Sequence, residues 1–294
     1  MMQAFLDIFD IYLLETVING ILFGGVLALL ALGLNLIFGV IDVTWICYAE
    51  LVMIGMYGMY YLVTIYGVPY WAAAPMCILL VAGMGALLHF LVIEPLLSSP
   101  PVNQLLATGG VLFFLQSLAT VAFGVEFHNI GIQLPVLRLG EMNFSYARLL
   151  SFAAALIGMV AVYVFMRRTY VGTAIRAIAQ DRQIMVLMGV DTRRIYLITS
   201  ALGGALAGLA ACLLVLLYDV HPFIGLSIGP ITFLICVLGG LGNFIGGFVA
   251  AFVFAEIISL GGMFSDLEWG YVLAFGFFIV MMFIRPAGLL SRRS

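Results

Sequence analysis

The chain has 294 residues, of which 65% are hydrophobic and only 9% charged, with a formal net charge of −3. That balance excludes a soluble globular class and points to an all-α, polytopic transmembrane bundle read as a single domain over 1–294. All eleven basic residues are arginines, so their placement carries more information than their number.

The opening residues, MMQAFLDIFDIYLLE, are acidic where a secretory signal is basic, and the first apolar run is read as a retained span. Apolar runs of about 20 residues place the spans. They fall at Thr16–Phe38, Trp45–Tyr66, Trp71–Ile93, Gln104–Gly124, Tyr146–Met166 and Ile195–Tyr218. Leu226–Leu260 is apolar but interrupted by Gly239-Gly240-Leu241-Gly242-Asn243, and a last span covers Trp269–Ile284. The expectation is about nine spans, or eight if the glycine-rich interruption marks a re-entrant hairpin.

Between the fifth and sixth spans lies a stretch too polar to cross a bilayer. A charged side chain at the bilayer centre costs about 2.5–3.5 kcal/mol on insertion scales. The segment 167–194 contains Arg168, Arg176, Arg182, Arg193 and Arg194 together with Asp181 and Asp191. Ile175, Ile178, Met185 and Met188 recur at helical spacing, which predicts one amphipathic helix over 175–188. Gly189 is placed to stop it, and Asp191 to cap the helix that follows. The result is a docking surface on the water side of the membrane.

Nine of the arginines fall in this stretch and at the C-terminal end, including Arg285, Arg292 and Arg293. The positive-inside rule makes both segments cytoplasmic, which leaves Arg138, Arg148 and the Glu126–Ser145 loop outside. Glycine-rich runs beginning at Gly20 and Gly203 resemble each other and are compatible with an inverted repeat. Their glycines suit close helix packing.

Isolated polar groups are the candidate pathway residues. Glu50 and Glu256 are intramembrane carboxylates, each open to a functional reading or to a structural hydrogen bond. Glu94, before Pro95, suits an interfacial cap or docking role. The four cysteines and three histidines have no metal-ligand spacing, so neither metal nor cofactor is expected. No P-loop or G-x-S-x-G elbow occurs, which argues against an enzyme and means that any ATP is hydrolysed elsewhere.

The runs ALLALGLNLIFGVI, AELVMIG, LLATGGVLFFLQ, GTAIRAIAQDRQIMVLMGVDTRRI, VLGGLGN and RPAGLL extend from the first span to the C-terminal end. With them the chain resembles the permease subunits of bacterial ABC importers of the branched-chain amino acid type. The resemblance implies a multi-pass protein of the bacterial inner membrane, surrounded by lipid and paired with a second, homologous permease. It also implies two cytoplasmic ATP-binding subunits and a periplasmic substrate-binding protein, with no nucleic acid partner. The polar stretch would then be the coupling element, with Ile178 and Met185 entering an ATPase groove. Arg176 and Arg182 would stand at the rim, with Asp181 and Gly189 completing the element.

One departure bears on substrate. Such permeases carry N-F-A-H-G-E at the start of the second span, where this chain has Trp45, Ile46, Cys47, Tyr48, Ala49 and Glu50. The exchange favours a larger apolar or aromatic substrate alongside branched-chain amino acids. Trp45, Tyr48 and Glu50 can share one cavity only if the helix is irregular near Cys47–Ala49, because Glu50 points about 160° from Trp45 on a regular helix. An ion-coupled secondary carrier or a channel is the alternative function.

Overall fold

The computed structural model describes residues 2–132, 135–139, 142–264, 266–285 and 288–289. Pro286, Ala287 and Leu290 of the RPAGLL motif lie outside the described residues, as do Arg292 and Arg293 and the side chains of Arg138 and Gln183. Twelve α-helices are described, with one short hairpin between the fifth and sixth.

Helix α1 runs Met2–Ile41, and α2 runs Tyr48–Tyr60 before widening into a π-helical turn at Tyr61–Ile65. Helix α3, Tyr70–Leu88, does the same at His89–Ile93 before the short α4, Glu94–Leu96. Pro95 accounts for the second widening: it has no N–H to donate, and its ring crowds the carbonyl four residues back. Then come α5 (Pro101–Phe123), the antiparallel strands β1 (Val136–Leu139) and β2 (Met142–Ser145), and α6 (Tyr146–Arg168). The polar stretch forms α7 (Tyr170–Gln180) and α8 (Arg182–Leu187). The chain closes with α9 (Thr192–Leu214), α10 (Ile224–Gly239), α11 (Phe244–Phe264) and α12 (Leu267–Ile284).

Among the described residues, seven helices are long and apolar enough to cross a membrane, and two shorter apolar helices, Ile224–Gly239 and Glu268–Ile284, accompany them. The expectation of about nine spans therefore meets seven of full length and two shorter ones.

Helix α1 is the buried centre, with α11 antiparallel along it. Ser259 Oγ donates to the Thr16 carbonyl at 2.7 Å near one end, and Gly242 N donates to Asn35 Oδ1 at 3.2 Å near the other. Helix α9 packs against α3 just as closely. A Cβ at Gly85 would stand 2.7 Å from the Ser200 carbonyl oxygen, so the glycine permits the backbones to touch. The two glycine-rich runs singled out in the sequence thus serve close packing. They do so against different partners, α11 for Gly20 and α3 for Gly204.

Two contacts fix which helix ends lie together. His128 and Val220 form an antiparallel bridge, linking the loop after α5 to the loop before α10. At the other end of α10, Leu241 shares a cleft with Asp42 and with Gln180 and Arg182 of the polar stretch.

Candidate functional site

The chain leaves helical geometry at residues 42–47, between α1 and α2. Asp42 adopts a left-handed φ of 58°, uncommon for a residue with a Cβ. The Thr108 hydroxyl of α5 reaches across to the Thr44 carbonyl at 2.9 Å and holds the extended segment. The irregular backbone expected near Cys47–Ala49 falls earlier, and Tyr48 and Ala49 already belong to α2. A helix start satisfies its first N–H groups poorly, so the disruption sits at the end of the helix rather than inside it.

This break turns Trp45 and Tyr48 into the same cavity. It has a volume of about 310 Å³ and lies among α1, α2, α5 and α10, with Leu34, Leu105, Leu112 and Phe233 also on its wall. Both aromatic side chains are buried, and the Tyr48 hydroxyl points to the Gly203 carbonyl at 3.4 Å. The Trp45 indole N–H has no partner among the described residues. The wall is almost wholly apolar, so the space suits an apolar or aromatic body and offers little to a charge.

Glu50 does not line that cavity. It is fully buried, its carboxylate lies against Gly225 at the start of α10, and neither oxygen has a hydrogen-bond partner among the described residues. An unpaired carboxylate in such surroundings is costly unless it is neutral or met by a donor. Glu256 is elsewhere. It packs against Gly20, and Gly20 and Leu34 are separated by about 20 Å along α1 at 1.5 Å per residue. The structure therefore brings Trp45 and Tyr48 together, sets Glu50 behind them, and leaves Glu256 apart.

Helix α10 separates this cavity from a second one of about 460 Å³, and Leu226 and Pro230 line both. Pro230 lies inside α10 and has no N–H for the Leu226 carbonyl, which weakens the wall between them. On the wall of the second cavity, burial holds the His221 imidazole below its ordinary pKa, with Asp219 opposing.

The polar stretch forms two helices where one was expected over 175–188. Thr169 caps α7, its hydroxyl accepting from Gly172 N at 3.0 Å. At Asp181 the backbone turns extended, and its carboxylate accepts from Ile184 N at 3.0 Å to start α8. An aspartate prefers that capping geometry to a helix interior, which explains the split. Gly189 takes a φ of +79° after α8, and Asp191 caps α9 by accepting from Arg194 N at 3.2 Å.

The placement of the side chains differs from that expected of a docking helix over 175–188. Ile175 and Ile178 are buried in the protein's own core, and Met185 is partly covered. The outward apolar groups are Ile184, Val186, Leu187 and Met188, with Leu187 86% exposed. Arg176 and Arg182 are both exposed, and the Arg182 guanidinium lies over the Tyr196 ring at 5.1 Å. Glu94, read as an interfacial cap or docking residue, pairs with Arg193 at the start of α9.

Three tethers escaped the sequence reading: Asn35 to Gly242, His89 Nδ1 to Ser200 Oγ at 2.9 Å, and Asn129 to Asp219 at 2.7 Å. For the first two, buried polar side chains in apolar helices were the only signal, and the third joins exposed loop residues. Among the described residues, no group of three His, Cys, Asp or Glu side chains could hold a metal ion.

Residues 16–282 match the family described as branched-chain amino acid transport system / permease component. The high-affinity branched-chain amino acid transport system permease protein BraD of Pseudomonas aeruginosa is 28% identical over 95% of this chain and 96% of its own. LivH of Escherichia coli, a permease protein of the same description, is 26% identical over 96% of each chain. LivM of the same organism, also so described, is 26% identical over 89% of this chain and 67% of its own. With a match that spans nearly every helix, the chain belongs to the branched-chain amino acid transport system permease family.

Proposed function

We propose that this multi-pass membrane protein is one permease subunit of an ATP-driven importer. It would pair with a second, homologous permease, two cytoplasmic ATP-binding subunits and a periplasmic substrate-binding protein in the inner membrane of a bacterium. That relatives named LivH and LivM both align with this chain supports a pair of homologous permeases. The substrate is a branched-chain or aromatic amino acid, or a related small apolar compound, moved from periplasm to cytoplasm.

The observation that carries this reading is the exposed apolar end of α8. Leu187, its last residue, and Met188 just after it stand on the water side between two capped helix starts, and none of the described residues covers them. An apolar face held there calls for a protein groove. The 310 Å³ cavity beside Trp45 and Tyr48 supports an apolar or aromatic substrate.

Nine crossings fit this topology, with the shorter α10 and α12 as the seventh and ninth. The His128–Val220 bridge and the Leu241 cleft support it, since they put the two ends of α10 beside opposite groups of loops.

The unpartnered Glu50 favours a second reading, an ion-coupled carrier or channel. Uptake in membranes containing the ATP-binding subunits, with and without ATP, separates the two. Accumulation that continues without ATP but collapses with the proton gradient would replace the importer reading.

A further inference from the structure

A small pocket of about 160 Å³ with several polar groups on its wall lies where α1, α6, α11 and α12 meet the turn after α9. Asn19, Arg148, Ser259, Tyr218 and Tyr271 line it. Ser259 is committed to the Thr16 carbonyl. Arg148 has no carboxylate within ion-pair reach among the described residues, and its electrostatic neighbour across the pocket is the Tyr218 hydroxyl. Glu256, one turn before Ser259, turns its carboxylate to Gly20 and does not line the pocket. The Arg148 guanidinium and the Asn19 amide therefore share a pocket whose other polar groups are hydroxyls, with no anion among the described residues to balance the cation.

The apolar cavity of about 460 Å³ begins at the same wall. Phe23, Tyr218 and Tyr271 line both spaces, and Leu27, Leu30 and Phe275 continue the larger one. A cationic pocket joined to an apolar chamber has the form of an amphiphile's site, charged at one end and greasy at the other. Its surroundings are apolar too. Leu149, next to Arg148, and Val272 and Leu273, next to Tyr271, are all exposed. Tyr146 and Trp269 are exposed at the same level, in the manner of an aromatic belt at a membrane surface.

We propose that these joined spaces bind an anionic phospholipid of the outer leaflet. Its phosphate sits on Arg148 and Asn19, and an acyl chain passes Phe23 toward Leu27 and Phe275. The leaflet assignment rests on the nine-crossing topology proposed above. Guanidinium meets phosphate with paired, charge-assisted hydrogen bonds, and the low dielectric at the membrane border strengthens them. Such a lipid would brace α1 against α6 and α12.

The assembled transporter, purified into phosphatidylcholine nanodiscs with added phosphatidylglycerol, tests this by native mass spectrometry. Wild type should retain phosphatidylglycerol in preference to phosphatidylcholine. Arg148→Gln should lower that retention about tenfold, as the loss of one charge-assisted contact implies. Arg148→Lys should restore part of it, and thermal unfolding in phosphatidylcholine alone should be alike in all three, because Arg148 is exposed. Equal retention by wild type and Arg148→Gln would overturn the proposal. Displacement of the lipid by inorganic phosphate would instead make this a free-anion pocket, and displacement by an amino acid a substrate pocket; either result also overturns it. Transport measured on the same samples reports separately on the importer reading.

Discussion

The Glu50 side chain occupies the space that a Cβ at Gly225 would need: built there, that atom would stand 2.6 Å from the Glu50 Cδ. The carboxylate and the start of α10 are therefore packed as a pair. Gly225→Ala should destabilise the protein by about 1–3 kcal/mol, the usual cost of overpacking a buried site. Combining it with Glu50→Ala should return most of that loss, read as thermal unfolding in detergent. A double variant no more stable than Gly225→Ala alone would show that the contact does not limit stability. Glu50→Gln separates charge from shape, since the amide fills the same space. Normal uptake in Glu50→Gln is expected for a structural role, and lost uptake with unchanged stability for a role that needs the carboxylate.

Coupling to an ATPase should depend on the outward face of α8. Burying a leucine-sized side chain contributes about 1.5–3 kcal/mol, whereas an exposed ion pair contributes about 0–1 kcal/mol. Leu187→Asp or Met188→Asp should therefore abolish co-purification of the ATP-binding subunit, while Arg176→Ala should leave it nearly intact. Ile178→Asp should fail differently, by lowering the yield of folded permease, because Ile178 faces the protein's own core. Normal ATPase recruitment in Leu187→Asp would remove α8 from the interface.

Topology is open to single-cysteine labelling, since the four native cysteines are buried. Cysteines at Gln183 and Leu241 should react from the cytoplasm, and one at Asn129 from the periplasm. Protection of a cysteine at Leu241 from both sides would mark a re-entrant hairpin in place of two crossings.

Selectivity should follow the aromatic wall of the smaller cavity. Restoring the family residues through Trp45→Asn and Tyr48→His should lower uptake of aromatic solutes relative to branched-chain ones. Competition assays on the double variant check this, and an unchanged order of preference would exclude the cavity from substrate choice.

Hydropathy was enough to locate the seven helices long enough to cross, because a bilayer demands long apolar runs whatever their partners. It could not say which apolar residues face inward, since lipid and protein core are equally apolar. Ile178 and Leu187 illustrate the limit: both are aliphatic residues in the polar stretch, yet one is buried in the chain's own core and the other is 86% exposed. The split at Asp181 was hidden for another reason, as periodicity alone does not reveal which aspartate will cap. The pairing of Trp45 with Tyr48 was legible once a break was assumed, but its location depends on Thr108, sixty-four residues from the carbonyl it holds. Such tethers leave no local trace.

The His128–Val220 bridge has one further consequence. Its two hydrogen bonds, 2.9 and 2.8 Å long, are made by main-chain atoms and so survive most substitutions at either position. They join the C-terminal end of α5 to the approach to α10, two helices that wall the smaller cavity. Pulling those helices apart beyond the slack of their loops must break both bonds and the neighbouring Asn129–Asp219 contact. The chain thus carries a main-chain clasp that ties these two helices together on one side of the cavity.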